Sequence, residues 1–135
     1  MKALTFALFA ALAFTSVAHA QNDGVKERTF RRSTTAGQEV RIFTYVQHRS
    51  DCTQGPDPGI TILTKPAHGT ASVRADTAVI GPSRFGAVDC SGRSLSGLGV
   101  WFTPEPGFAG TDQFEYQVQV SNGMAHDTAI VRVKP

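Results

Sequence analysis

The chain has 135 residues, 41% of them hydrophobic and 18% charged, with a formal net charge of +2. That balance excludes a disordered chain and a general nucleic-acid binder, and the length suits one folded domain, not two.

Residues 1–20 carry the three parts of a secretion signal: Lys2, an apolar run over 3–14, and Ala18-His19-Ala20 as a small-x-small cleavage site. The run falls short of the roughly 20 apolar residues that span a bilayer. Cleavage is expected between Ala20 and Gln21. The mature chain of about 115 residues is then large enough for a core without a structural metal. It is expected in the periplasm or outside the cell, with no membrane span.

Residues 21–36 are polar and basic, with Lys26, Arg28, Arg31 and Arg32. They read as a mobile lead-in or as a first edge strand over 29–33, ahead of a folded domain over 37–135. From Gln38 the chain alternates with period two. This places Val40, Ile42, Thr44 and Val46 on one face and Arg41, Phe43, Tyr45 and Gln47 on the other, a strand pattern. Gln54-Gly55-Pro56-Asp57-Pro58-Gly59 is a dense breaker and hence a loop. Short strands are expected over 60–64, 70–74 and 78–80. The Gly- and Ser-rich stretch 81–99 reads as an irregular excursion. A strand over 99–103 ends at Pro104-Glu105-Pro106-Gly107. Residues 112–121 alternate cleanly, with Phe114, Tyr116, Val118 and Val120 on one face. Asn122-Gly123 signals a hairpin turn, and 125–133 is the return strand with Ala129, Val131 and Val133 inward.

Cys52 and Cys90 stand 38 positions apart. In an exported chain such a pair is expected to close a disulfide, worth roughly 4 kcal/mol for a loop of this size in the chain-entropy model. No CxxC accompanies them, so the spacing does not suit zinc. No helical period persists after residue 20. About seven short strands, with turn signals about every ten residues, point to an all-β fold, an antiparallel sandwich.

Several motifs then resemble a known family. Lys65-Pro66-Ala67-His68-Gly69-Thr70 is similar to the turn that opens bacterial Ig-like, cadherin-like repeats. Phe102-Thr103-Pro104 resembles their aromatic-Thr-Pro segment. The run from Pro106 through Gly107, Phe108, Gly110, Asp112, Phe114 and Tyr116 resembles their Pro-Gly-Phe-x-Gly-x-Asp-x-Phe-x-Tyr signature. Ser121-Asn122-Gly123 and the alternating last strand also fit, so the resemblance covers about residues 60–133. It implies an Ig-like β-sandwich in which the signature builds a corner, not a catalytic site. Two departures stand out: the segment 76–99 is long and holds a cysteine, and the chain carries one copy where family members occur in tandem. Calcium binding between repeats is therefore not carried over.

The remaining chemistry is sparse. His48, His68 and His126 lack metal-ligand spacing. His126-Asp127 has no GxSxG serine to complete a triad. Glu105 and Asp112 could approach at one corner, but a small sandwich offers them no cleft. Ser91, Ser94 and Ser96 read as flexible connection. No catalytic residue, metal or cofactor is expected. Trp101 should face away from Val100 and Phe102, covered by the 81–99 excursion or left as a binding hot spot. The candidate binding surface is Trp101 with Arg84 and Arg93 of the excursion, and the basic edge Arg28, Arg31 and Arg32. The expected function is that of a secreted, non-catalytic module, monomeric, binding a protein or glycan of the envelope or exterior. A purely structural envelope component is the alternative, and a small secreted hydrolase a remoter one.

Overall fold

Alternating apolar residues between breakers produce strands, and the strands bury their apolar faces against each other. The computed structural model describes residues 24–135. The expected export signal at 1–20, with its cleavage site, lies outside the described residues. Nine strands follow: β1 (Lys26–Thr35), β2 (Val40–Tyr45), β3 (Gly59–Thr64), β4 (Gly69–Val79), β5 (Arg84–Phe85), β6 (Val88–Asp89), β7 (Ser94–Pro104), β8 (Gly110–Val120) and β9 (Gly123–Lys134). They form a four-stranded sheet in the order β1-β9-β8-β3, a three-stranded sheet in the order β2-β7-β4, and the small β5-β6 hairpin. The two larger sheets make the sandwich. Its strand pairs are antiparallel except β1 with β9, which run parallel from Lys26↔Ala125 to Thr35↔Lys134.

The core lies between the sheets. Phe114, Tyr116 and Val118 of β8 and Ala129, Val131 and Val133 of β9 meet Ile42, Val100 and Phe102 from the other side, all buried. The rings of Phe102 and Phe114 stack at 6.2 Å. A second small cluster joins Ile80, Leu95 and the disulfide Cys52–Cys90, whose S–S distance is 2.04 Å.

The structure revises several sequence expectations. Of the two readings of the basic lead-in the edge strand holds, but it runs ten residues, because Arg28 pairs with the buried Asp127 and Phe30 packs against the core. The β2 alternation breaks at a bulge between Arg41 and Phe43. The extra residue turns Phe43 and Tyr45 to the core side and Thr44 outward. The strands expected at 70–74 and 78–80 are one unbroken strand, β4. The strand expected from 99 starts at Ser94, so the irregular excursion ends at Arg93. The β8–β9 turn is Ser121-Asn122, closed by the pair Val120↔Gly123.

Candidate binding surface

Alternation along β1 and β9 sends Arg28 and Asp127 toward the interior, on the same faces as Phe30 and Ala129. A fully buried carboxylate needs partners. Asp127 Oδ1 accepts from Arg28 Nε at 2.7 Å, and Oδ2 accepts from Arg28 Nη2 at 2.6 Å. The Tyr45 hydroxyl also donates to Oδ2, at 2.5 Å, and itself accepts from Tyr116 at 2.8 Å. The Asp127 bond raises the Arg28 guanidinium above its ordinary value. Burial pushes both phenols far above theirs. The network ties β1, β2, β8 and β9 together. Arg28, a candidate surface cation by sequence, is thus engaged in an interior ion pair.

Beside this network lies a groove of about 880 Å³, bounded by Arg28 and Arg32 of β1, Phe43 of β2, His48, and Val79-Ile80 at the end of β4. Phe43 is 40% and Val79 67% exposed, so the groove offers open apolar side chains among its polar lining. Arg32 reaches it with its guanidinium over the Phe30 ring at 5.6 Å. Arg31, one residue away, falls on the opposite face of β1, so the expected cluster Arg28, Arg31, Arg32 is split by strand alternation.

The excursion forms the β5-β6 hairpin. Arg84 spends its charge on Asp89 at 2.9 Å. Arg93 works through its backbone: its carbonyl accepts from the Ile80 N–H at 2.8 Å. The side chains that the hairpin presents are instead Phe85 and Val88, 45% and 42% exposed. Phe85 meets the His48 ring edge-on at 5.6 Å, and Ser83 Oγ lies 3.3 Å from His48 Nε2. Sequence reading passed over Phe85 and Val88, although they are the large apolar residues inside a Gly- and Ser-rich loop.

Trp101 lies on the outer face of β7, as alternation requires. Its cover is not the excursion but Arg74, 4.0 Å from the ring centroid, and Arg41 at 5.6 Å. Arg74 Nη1 donates to Glu39 at 2.9 Å and Arg41 to Asp76 at 3.2 Å, while Thr44 donates to Asp76 at 2.5 Å. Arg74 holds Glu39, and Thr44 holds Asp76, below the ordinary carboxylate range. The indole packs over Gly99, where an added Cβ would sit 2.7 Å from Nε1.

The histidines stay apart. His68 stacks on Phe108 at 4.4 Å, and His126 lies between Glu27 and Glu115 at 3.5 and 3.4 Å. Among the described residues, no three His, Cys, Asp or Glu side chains gather as metal ligands.

One further corner decides the family. Asp112, buried in β8, accepts from the Ala67 N–H at 3.0 Å and the His68 N–H at 2.7 Å, fastening the β3–β4 turn across the sandwich. The sequence profile described as Bacterial Ig domain matches residues 15–134. The chain belongs to this family. A search among curated proteins finds no match. In this bacterial Ig domain the signature residues build a corner: the Asp112 carboxylate replaces strand partners for two turn amides. Bacterial Ig domains are typically non-catalytic. Among the described residues, the Phe43–Val79 groove sets open apolar side chains beside a cation, Arg32.

Proposed function

We propose that this bacterial Ig domain is an exported, non-catalytic binding module of the cell envelope or exterior. Its groove between β1, β2 and the end of β4 takes an acidic protein segment with apolar side chains. The observation that carries the reading is the pair of open apolar side chains, Phe43 and Val79, lining the groove with Arg32. Apolar area supplies affinity, and a cation with no carboxylate partner among the described residues supplies steering and register. A glycan reading loses support, because sugar stacking needs a bare aromatic face and Trp101 carries Arg74. The disulfide supports an oxidising compartment.

The test is capture from envelope extract and culture medium, followed by titration of the purified partner. Phe43→Ser with Arg32→Glu is expected to weaken binding by at least about tenfold, as loss of a hot spot does. Trp101→Ala is expected to bind as the parent does. A partner that ignores the groove variant but is lost with Trp101→Ala moves the site to the outer face of β7. No partner in any fraction leaves the structural role in its place.

A further inference from the structure

The two sheets have four edges, and three carry devices that discourage pairing with another chain. A bulge interrupts β2 at Arg41/Phe43, and another interrupts β3 at Ile62/Thr64. β1 carries Lys26, Glu27, Arg28, Arg31 and Arg32. β4 differs. It runs eleven residues without proline or bulge, and among the described residues no strand pairs with its outer side.

The hydrogen-bond phase of β4 shows which groups lie open. The Ile80 N–H donates to Arg93 O at 2.8 Å, toward β7, and the Ile80 carbonyl accepts from Gly92. Counting back along the unbroken register, Ala78, Asp76, Arg74, Ser72 and Thr70 also face β7. Pro104, which has no N–H, pairs with Gly69 at the alternate, non-bonding phase. The N–H and C=O groups of Ala71, Val73, Ala75, Thr77 and Val79 therefore point outward. Thr77 agrees: its N–H is held by the neighbouring Asp76 carboxylate at 2.8 Å, not by a strand.

We propose that this edge of β4 pairs antiparallel with the same edge of a second copy of the chain, about a two-fold axis at Ala75. The register is self-complementary. Ala75 faces its own copy, Val73 faces the partner's Thr77, and the exposed Val79 faces the partner's Ala71. On the outer face Arg74 lies across from the partner's Asp76, so opposite charges meet and no like charges do. These are the only charged residues of β4. The open groups fall in the hydrogen-bonded pairs of that register, each pair exchanging two bonds. Thr77 exchanges its local carboxylate for the partner's Val73 carbonyl. An isologous interface of this kind closes at two copies and joins the three-stranded sheets into one of six strands. It replaces the single-copy state expected from the sequence, and it shares Val79 with the rim of the groove, whose other side chains, Phe43 and Arg32, lie on β2 and β1.

Sedimentation of the purified protein over a dilution series tests it. The expected result is a rise from one chain mass to two with concentration. Hydrogen exchange on the same samples should slow at Val73, Ala75 and Val79 as concentration rises. Ala75→Pro removes an outward donor without touching the β7 ladder, and it should sediment as one chain with an unchanged far-UV spectrum. Phe43→Ser should still form the pair. One chain mass at every concentration overturns the proposal, as does a two-copy state that persists in Ala75→Pro. Exchange in the parent protein decides the matter if Ala75→Pro fails to fold.

Discussion

Asp127 is the residue on which the interior depends most. Its carboxylate has no exposed surface and holds three charge-assisted bonds from two side chains. Asp127→Asn keeps the shape but loses the charge that Arg28 and Tyr45 answer. It is expected to cost about 2–3 kcal/mol in urea unfolding. The neighbouring phenols set an alkaline limit. Both are held neutral in the fold well above their ordinary value. Above about pH 10 the unfolded chain sheds phenol protons that the folded chain keeps. The unfolded state then binds fewer protons, so stability falls as pH rises and is complete below that point. A Tyr45→Phe, Tyr116→Phe double variant should show a flatter alkaline limb in pH-dependent melts. The ingredients of this network were legible: Asp127 shares its alternation with Ala125, Ala129 and Val131, and Arg28 with Phe30. Its partners were not, because parallel pairing of β1 with β9 brings together residues 99 positions apart, and local periodicity holds no trace of that.

The elements divide by how local their causes are. β8 and β9 were readable to within two residues at each end, since each alternates without interruption and a two-residue turn joins them. Phe114→Asp would bury an unpaired charge among Phe102, Tyr116 and the β9 valines, and is expected to leave no cooperative thermal transition. β2 misled the reading because a bulge is a defect of pairing, visible only with the partner strand in place. The first half of β7, Ser94–Leu98, was read as excursion because Gly97 and its serines look like loop residues, and the strand was begun only at Gly99. Gly97 and Gly99 are strand glycines forced by close approach. A Cβ at Gly97 would run into the Tyr45 carbonyl where β2 crosses, and one at Gly99 would strike Trp101 and Asp76. Gly97→Ala should therefore lower the melting temperature in calorimetry, at a cost of about 1–3 kcal/mol for overpacking. An ordinary strand glycine would gain from the same change.

The whole molecule is a sandwich with a side chamber. Cys52–Cys90, Ile80 and Leu95 close the end that bears the β5-β6 hairpin, away from the main core. A Cys52→Ser, Cys90→Ser variant should lose about 4 kcal/mol in urea unfolding if the chain-entropy view holds. Exchange should rise first in the hairpin amides, because the main core makes no use of the bond. The pairing of β1 with β9 has a mechanical consequence. β1 starts level with Ala125, and β9 ends level with Thr35. A tension applied ahead of Lys26 and beyond Lys134 therefore draws the two parallel strands past one another. Ten residue pairs are loaded at once in shear, whereas tension at Gly110 and Lys134, which lie side by side, would peel β8 from β9 one pair at a time. In a force spectrometer the first geometry should yield abruptly at high force and the second gradually at low force. A chain held by those two ends thus behaves as a stiff link that resists stretching until it fails.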